Sequence, residues 1–474
     1  VNPARVAAIL LSLGGVAACN LAPVYRVPDT GPTPVRYRED ADWKRAEPRD
    51  AEPRGAWWTV FNDARLAALE QQCGEANQSL KAAFARLRQA RDDTRIARAD
   101  LFPTITLNPQ AERTRTSPNS PRFPPGYPTT LNDFVLGADV SYEVDLWGRV
   151  RNEVTAAKAN EQASAADLAS LDLSLRAELA ADYFTLRSQD AQAALLDKTV
   201  QDYGSANALT QNLFNGGNAA LSDVAQSKTV LENARTQAQD VRLQRSQTEH
   251  AIAVLVGANP STFHLDPDPL PLNGKAPDID PGMPSALLER RPDVAEAERR
   301  IAAANAAIGQ ARAAYFPQFT FAASAGYNST RTSNWLSAPS QFWSLGPQVS
   351  LPLFEGGRLV AATDRAKAAY AEGVANYRNT VLTAYQEVED EIAALRRLEA
   401  ESATAQAAVE STATALQQAQ YRYEGGIATY LEVASAETTA LQAQLAAINV
   451  RSRQLAATVM LIKALGGGWR AGSA

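Results

Sequence analysis

Histidine, cysteine and methionine are nearly missing, with two of each in 474 residues. So few imidazoles, thiols and thioethers leave little from which to build a soft-metal site, and two cysteines make no disulfide framework. His250 falls in a helical pattern and His264 in a linker. Neither has a nucleophile, metal-ligand spacing or phosphate-cradling glycines around it, so no enzyme, no metal and no cofactor is expected. A basic excess is missing as well: the net charge is −6, with no Lys/Arg stripe and no aromatic stacking platform, which argues against nucleic acid. The apolar run near the start, Val6 to Ala18, falls short of the ~20 residues that cross a bilayer as a helix.

That run has another use. Residues 1–18 read as a bacterial signal, with Arg5 as its positive end and Val6 to Ala18 as its core. It closes on Val16-Ala17-Ala18-Cys19, which resembles a lipobox, so acyl chains on Cys19 are expected to anchor the mature chain. Asn20 follows, not the aspartate associated with inner-membrane retention, which favours the outer membrane. Cys73 sits in a helical pattern after Leu66 and Leu69 and reads as a small packed residue.

What the chain has in quantity is repetition. Val140 placed on Val349 sets an offset of 209 that holds without a gap. Asn215-Gly216-Gly217 falls on Glu424-Gly425-Gly426, Ala157-Lys158-Ala159 on Ala366-Lys367-Ala368, and Val256-Gly257 on Leu465-Gly466. A duplicated unit that cannot bury its apolar face alone calls for assembly. The expected organisation is a lipidated arm and start of a belt (19–65), a first repeat (66–257), a linker and belt (258–283), a second repeat (284–466) and a tail (467–474). Leu66 to Leu101 reads as one helix.

Each repeat carries a pair of period-two stretches, 103–116 with 133–147 and 317–330 with 341–354. Ile105 and Leu107 oppose Thr106 and Asn108; Phe134, Leu136, Ala138, Val140 and Tyr142 oppose Asp139, Ser141 and Glu143. Each stretch approaches the ~10 residues of a tilted transmembrane strand. Aromatics near strand ends (Phe102, Trp147, Tyr315, Phe316, Trp343) suit an interfacial girdle, whereas Pro109 and Pro347 each lack a ladder donor. Four strands cannot close a barrel, and an open edge in lipid is costly, so copies must combine; two would give eight strands and three would give twelve. Asp139, Glu143 and Asp145 are placed on the inner face, where a mild cation preference is expected. After each strand pair comes a helical hairpin, 149–257 and 357–466. Arg149 to Leu213 alone would extend ~97 Å. Val381, Tyr385, Val388, Ile392 and Leu395 keep heptad spacing. The fold class is therefore an α+β membrane protein with four transmembrane strands and long antiparallel coiled helices, duplicated.

Several local motifs occur in a telling order: Cys19-Asn20-Leu21-Ala22-Pro23, then Trp57-Trp58 with Phe61, then Ser141-Tyr142-Glu143-Val144-Asp145-Leu146-Trp147-Gly148-Arg149. Arg290-Arg291-Pro292-Asp293-Val294, Tyr315-Phe316-Pro317, Leu353-Phe354-Glu355-Gly356-Gly357 and Lys463-Ala464-Leu465-Gly466-Gly467-Gly468-Trp469 follow. With them the chain resembles the TolC-type outer-membrane efflux channels, in their lipidated OprM/NodT branch. The resemblance implies a homotrimer with a twelve-stranded barrel and a periplasmic helical tunnel. It implies a passive exit duct in outer-membrane lipid, served by a periplasmic adaptor and an inner-membrane RND pump. The adaptor would meet the tips at Asn215, Gly216, Gly217, Glu424, Gly425 and Gly426, where the tunnel is pinched at rest. The family's acidic gate position falls on Glu432, and its second falls on Ser435; Asp223 matches the acid of the outer hairpin and Tyr423 a latching tyrosine. A basic latch position falls on Ala428. A duct for type I protein secretion and a structural lipoprotein rod are the alternative readings.

Overall fold

The computed structural model of the chain describes residues 20–29, 55–119, 126, 128–271, 277 and 290–467. The signal, Cys19 and Trp469 lie outside them. The helices are α1 (Ala64–Ala76), α2 (Gln78–Ala99), α3 (Arg149–Asn215), α4 (Leu221–Leu255), α5 (Pro292–Ala313), α6 (Arg358–Glu424) and α7 (Tyr430–Ala464). The strands are β1 (Thr104–Arg115), β2 (Thr130–Val144), β3 (Gln318–Ser329) and β4 (Gln341–Ser350).

The duplication is written into these boundaries. α3 and α6 both have 67 residues and α4 and α7 both have 35, and both ends of each pair are displaced by the same 209 positions. Upstream, α2 pairs with α5 at 22 residues each and β1 with β3 at 12 each, now displaced by 214. The second strand hairpin absorbs the difference: β2 has 15 residues, β4 has 10.

Several boundaries differ from the sequence expectation; β2, for one, begins at Thr130 rather than at residue 133. The helix expected over 66–101 is two helices broken at Asn77, whose side chain accepts from Leu80 N (3.1 Å) and donates to Leu255 O (2.8 Å). One buried amide thus caps α2 and fastens it to the end of α4. β2 ends at Val144 because the Asp145 carboxylate leaves the ladder and accepts from Arg151 N (2.9 Å) and Arg151 Nε (3.1 Å) at the start of α3. β4 stops at Ser350, short of Pro352, which has no donor to offer.

The chain divides into two compact units, and each draws on both repeats. The first comprises Val1–Asp29, Arg86–Ala165 and Glu296–Arg378. It holds the sheet and the helix segments next to it. The extended segment 20–29 is strapped along α5: Asn305 Nδ2 donates to Pro23 O (2.8 Å), Arg312 Nη1 to Leu21 O (3.2 Å), and Tyr25 Oη to Glu298 Oε1 (2.5 Å). Asn20 Oδ1 accepts from Asn152 Nδ2 at 2.9 Å.

The second unit comprises Thr30–Ala85, Ala166–Ala295 and Asn379–Ala474. Its main core joins Trp57, Leu66, Leu69 and Cys73 to Leu179, Tyr183 and Leu186 of α3, Ile252 of α4, Val388 and Ile392 of α6, and Val459 and Ile462 of α7. Burial pushes the Cys73 thiol up to about 12, which leaves it a packing residue. The heptad positions Val381, Val388 and Ile392 are buried as their spacing requires.

Candidate functional site: an open sheet and two helical tips

The strands form one antiparallel sheet in the order β1-β2-β3-β4, so the two repeats meet at the β2–β3 seam. Opposed residues on neighbouring strands share a face. Ile105, Val140, Ala323 and Leu345 make one rung, and Leu107, Ala138, Ala325 and Trp343 the next. This apolar face is not covered. Trp343 is 79% exposed, Ile105 70% and Leu345 61%. Exposed apolar surface on this scale marks an interaction face. Aromatics flank it at both ends. Trp147 stacks on Phe316 (4.7 Å) and donates to Pro317 O (2.8 Å), while Trp335 packs on Phe134 (5.9 Å) at the hairpin end. Among the described residues no helix is long and apolar enough to cross a membrane.

The opposite face is polar. Its rungs include Thr106–Asp139–Ser324–Ser344 and Glu143–Thr320–Gln348. Of the three acids expected there, the structure separates the roles. Asp139 lies on this face and accepts from Asn108 Nδ2 at 2.7 Å. Glu143 lies there too, but Arg149 holds it with two 2.8 Å bonds and also reaches Glu153 Oε2 at 3.0 Å. Asp145 lies past the end of β2 and is paired with Arg151. Glu143, Asp145, Arg149 and Arg151 thus form a strand-to-helix clamp, turned by Gly148 at φ +76°. A second acidic place lies apart from these three. Glu112 and Asp133 are register partners near the hairpin end of the same face. The signal was in the alternation, but only the β1–β2 register brings the two carboxylates side by side.

The edges of the sheet are β1 and β4. About half of the backbone groups of their 12 and 10 residues point away from the sheet. At several kcal/mol for each unsatisfied group in hydrocarbon, the total reaches tens of kcal/mol. That exceeds the ~5–15 kcal/mol that holds a folded domain together, so one chain alone cannot sit in a bilayer. Pro109 and Pro347, which counted against a ladder, both lie on these edge strands, where proline is tolerated.

The hairpin tips lie in the second unit and repeat one geometry. At the first, Asn218 N donates to Leu213 O (2.8 Å) and Gly217 N to Phe214 O (2.9 Å), with Gly217 at φ +74°. At the second, Ile427 N donates to Arg422 O (2.8 Å) and Gly426 N to Tyr423 O (2.9 Å), with Gly426 at φ +69°. Both are helix stops that need a left-handed residue, which explains the paired glycines. Asn215, Gly216, Glu424 and Gly425 complete the exposed turns. Apolar side chains stand out around them: Leu221, Ile427 and Leu431 are all exposed, Ile427 at 74%.

Asp223 and Glu432 hold equivalent places at the start of α4 and α7, displaced by the repeat offset. Their partners differ. Asp223 Oδ2 reaches back to Ala220 N at 3.4 Å, whereas Glu432 Oε2 pairs with Arg422 Nη1 at 2.9 Å across the turn. Ala428, on which the basic latch position falls, carries no charge, and the cation beside Glu432 is Arg422 of the same hairpin. Tyr423 packs edge-on to Tyr430 (5.5 Å), and its hydroxyl is buried with no hydrogen-bond partner among the described residues. Ser435 is exposed on α7.

The family described as outer membrane efflux protein matches residues 69–258 and 283–467. The chain is 33% identical over 463 residues to the antibiotic efflux pump outer membrane protein ArpC of Pseudomonas putida, covering 96% of this chain and 93% of that one. Its fold is similar to the outer-membrane channel OprN, at 30% identity and TM-score 0.84, covering 95% of this chain and 100% of that one. It is similar also to the CmeC outer membrane channel of Campylobacter jejuni, at 25% identity and TM-score 0.86, covering 95% of each.

Proposed function

The chain belongs to the outer membrane efflux protein family, and on that premise we propose that three copies form the exit duct of a tripartite efflux pump. The apolar face of the sheet meets outer-membrane lipid, and the polar face lines the bore. β1 of each copy pairs with β4 of the next, closing twelve strands and removing every edge. The duct is passive: it offers a path, and the energy comes from an inner-membrane RND transporter reached through a periplasmic adaptor. The similarity to a protein named for antibiotic efflux supports small organic compounds as cargo. The observation that carries this reading is the sheet itself, polar on one face, bare and apolar on the other, with two unpaired edges.

The adaptor engages the tips at 215–219 and 424–428, where exposed Leu221, Ile427 and Leu431 supply apolar contact. Glu432, Asp223, Tyr423 and Ser435 line the resting constriction. Opening breaks the Arg422–Glu432 pair, and because both side chains are about half exposed that pair resists weakly, by ~1 kcal/mol or less. Acyl chains on Cys19 hold the N-terminus at the inner surface of the outer membrane. In support, Asn20 is fastened to Asn152, three residues along α3 from the Arg149 clamp at the foot of β2.

Single-channel recording from the purified protein in planar bilayers, beside its mobility on gels before and after heating, tests the proposal. Discrete conductance and a heat-sensitive three-copy species are expected. A protein that adds to bilayers yet never conducts overturns it in favour of a structural lipoprotein.

A further inference from the structure

The β4 part of the polar face has one misplaced side chain. On β4 that face reads Phe342, Ser344, Gly346, Gln348, Ser350, and the first of these is an aromatic ring where the rest are small or polar. Phe342 opposes Gly326 of β3, which opposes Gly137 of β2. Two glycines on one rung weaken a sheet, because each forgoes side-chain packing and loses more backbone freedom on folding than a residue with a side chain. Backbone conformation does not require them, because neither is among the glycines at positive φ. The reason is space. A Cβ on Gly326 would stand 2.1 Å from Leu136 O and 2.8 Å from Gly137 Cα, so β2 and β3 approach too closely there for any side chain. A Cβ on Gly137 would stand 3.4 Å from Phe342 Cζ. The ring therefore lies flat across two strands, in a notch that only the two glycines leave open. Gly137 is buried as a result, although it belongs to the exposed polar wall. Aromatic cover of strand glycine is a known way to recover their lost packing.

We propose that Phe342, stored in the Gly137–Gly326 notch, sets the size limit for solutes at the hairpin-end part of the bore. Lying flat, the ring narrows the passage only by its own thickness. Displaced from the notch, it stands into the passage, and with three copies it does so from three sides. Leu131 and Val135 share this face on β2 towards the hairpin end, with Asp133 between them opposite Glu112, so the wall beyond the ring mixes apolar and acidic groups. The inference rests on the proposal that the polar face lines a bore.

The test uses the full-length protein in outer-membrane vesicles. A reporter thiol is placed by Ser324→Cys, on the polar face one rung towards the helical end. Small and bulky water-soluble thiol reagents are added from the hairpin side, so the state of the helical tips does not enter the readout. Cys73 is buried and does not compete. Gly137→Ala leaves ordinary contact with the ring and is expected to change nothing. Gly137→Val puts methyl groups where the ring lies, and is expected to cut the bulky-to-small labelling ratio by roughly threefold or more. Adding Phe342→Ala to Gly137→Val restores the ratio, and Phe342→Ala alone raises it above wild type. An unchanged ratio in Gly137→Val, or in Phe342→Ala should the valine variant fail to assemble, overturns the role of Phe342. Failure of even the small reagent to label Ser324→Cys instead overturns the bore reading beneath it.

Discussion

Replacing Glu437 by glutamine is expected to reverse sign with pH. Glu437 is 5% exposed and lies beside a cluster of Tyr203, Val230, Tyr430 and Val433, where α3, α4 and α7 meet near the second tip. Burial pushes its carboxyl from an ordinary 4.5 up to about 7; a 3.3 Å bond from Tyr430 Oη pulls the other way, and Asp202 pushes further up. A carboxyl held above its unfolded value favours the folded state while protonated. That advantage is complete below about 4.5, shrinks as pH rises, and is gone above about 7. Over this window the folded state loses about 3 kcal/mol, at 1.36 kcal/mol per pH unit. Glutamine stays neutral and can still accept from Tyr430, but it buries an amide N–H at a cost of about 1 kcal/mol. The variant is therefore expected to be about 1 kcal/mol less stable than wild type at pH 4.5 and about 2 kcal/mol more stable at pH 8. The assay is the apparent melting temperature of both proteins in one detergent at pH 4.5, 6 and 8, compared as variant minus wild type. This cancels every other titrating group. A difference that stays constant across the three pH values would show that burial does not raise the Glu437 carboxyl in the folded state.

Asn77→Ala removes the cap of α2 and the bond to Leu255 O together, and a loss of about 1–3 kcal/mol is expected, read as a lower melting temperature. Four helix-stop glycines should fall into two classes on substitution by alanine. Gly217 and Gly426 meet nothing within 4 Å, so they lose only about 1–2 kcal/mol to the left-handed backbone. At Gly257 and Gly466 the new Cβ would also stand 2.5 Å from Ala76 O and 2.8 Å from Arg290 O, and these variants are expected to assemble poorly on a heated gel series. Glu432→Ala is expected to leave stability within about 1 kcal/mol while raising single-channel conductance at rest. Unchanged conductance and ion selectivity would remove Glu432 from the constriction.

Much of the fold is legible in the sequence because it is set by local rules. The glycine pairs at 216–217 and 425–426 announce helix stops, since a left-handed residue is required there. The period-two stretches announce strands because side chains must alternate faces. The repeat offset carries the helix stops across the chain, and the boundaries of the two long helix pairs keep it residue for residue, whereas β1 and β3 are displaced by 214. What is not legible depends on partners far away in sequence. Asn77 sits in an unbroken helical pattern, and its break is decided by Leu255, which lies 178 positions away. The arginines that neutralise Glu143 and Asp145 are visible in sequence, but their roles appear only once β2 ends and α3 begins. The Glu112–Asp133 pair and the ring of Phe342 over Gly137 both need the register of the sheet. At the second tip, the position matched to a latch holds alanine, and only the geometry shows Arg422 reaching Glu432 instead.

On the proposed assembly, each sheet completes itself with the edges of sister copies. Leu107→Cys on β1, combined in turn with cysteine at Trp343, Leu345 and Val349 on β4, tests it by oxidative cross-linking in outer-membrane vesicles. At least one pairing is expected to give a covalently closed species of three chains on a denaturing, non-reducing gel. Cysteines at Ala138 and Ala323, on the inner strands, should give no link between chains. Single chains from every edge pairing, or a series that closes at two, would contradict the account.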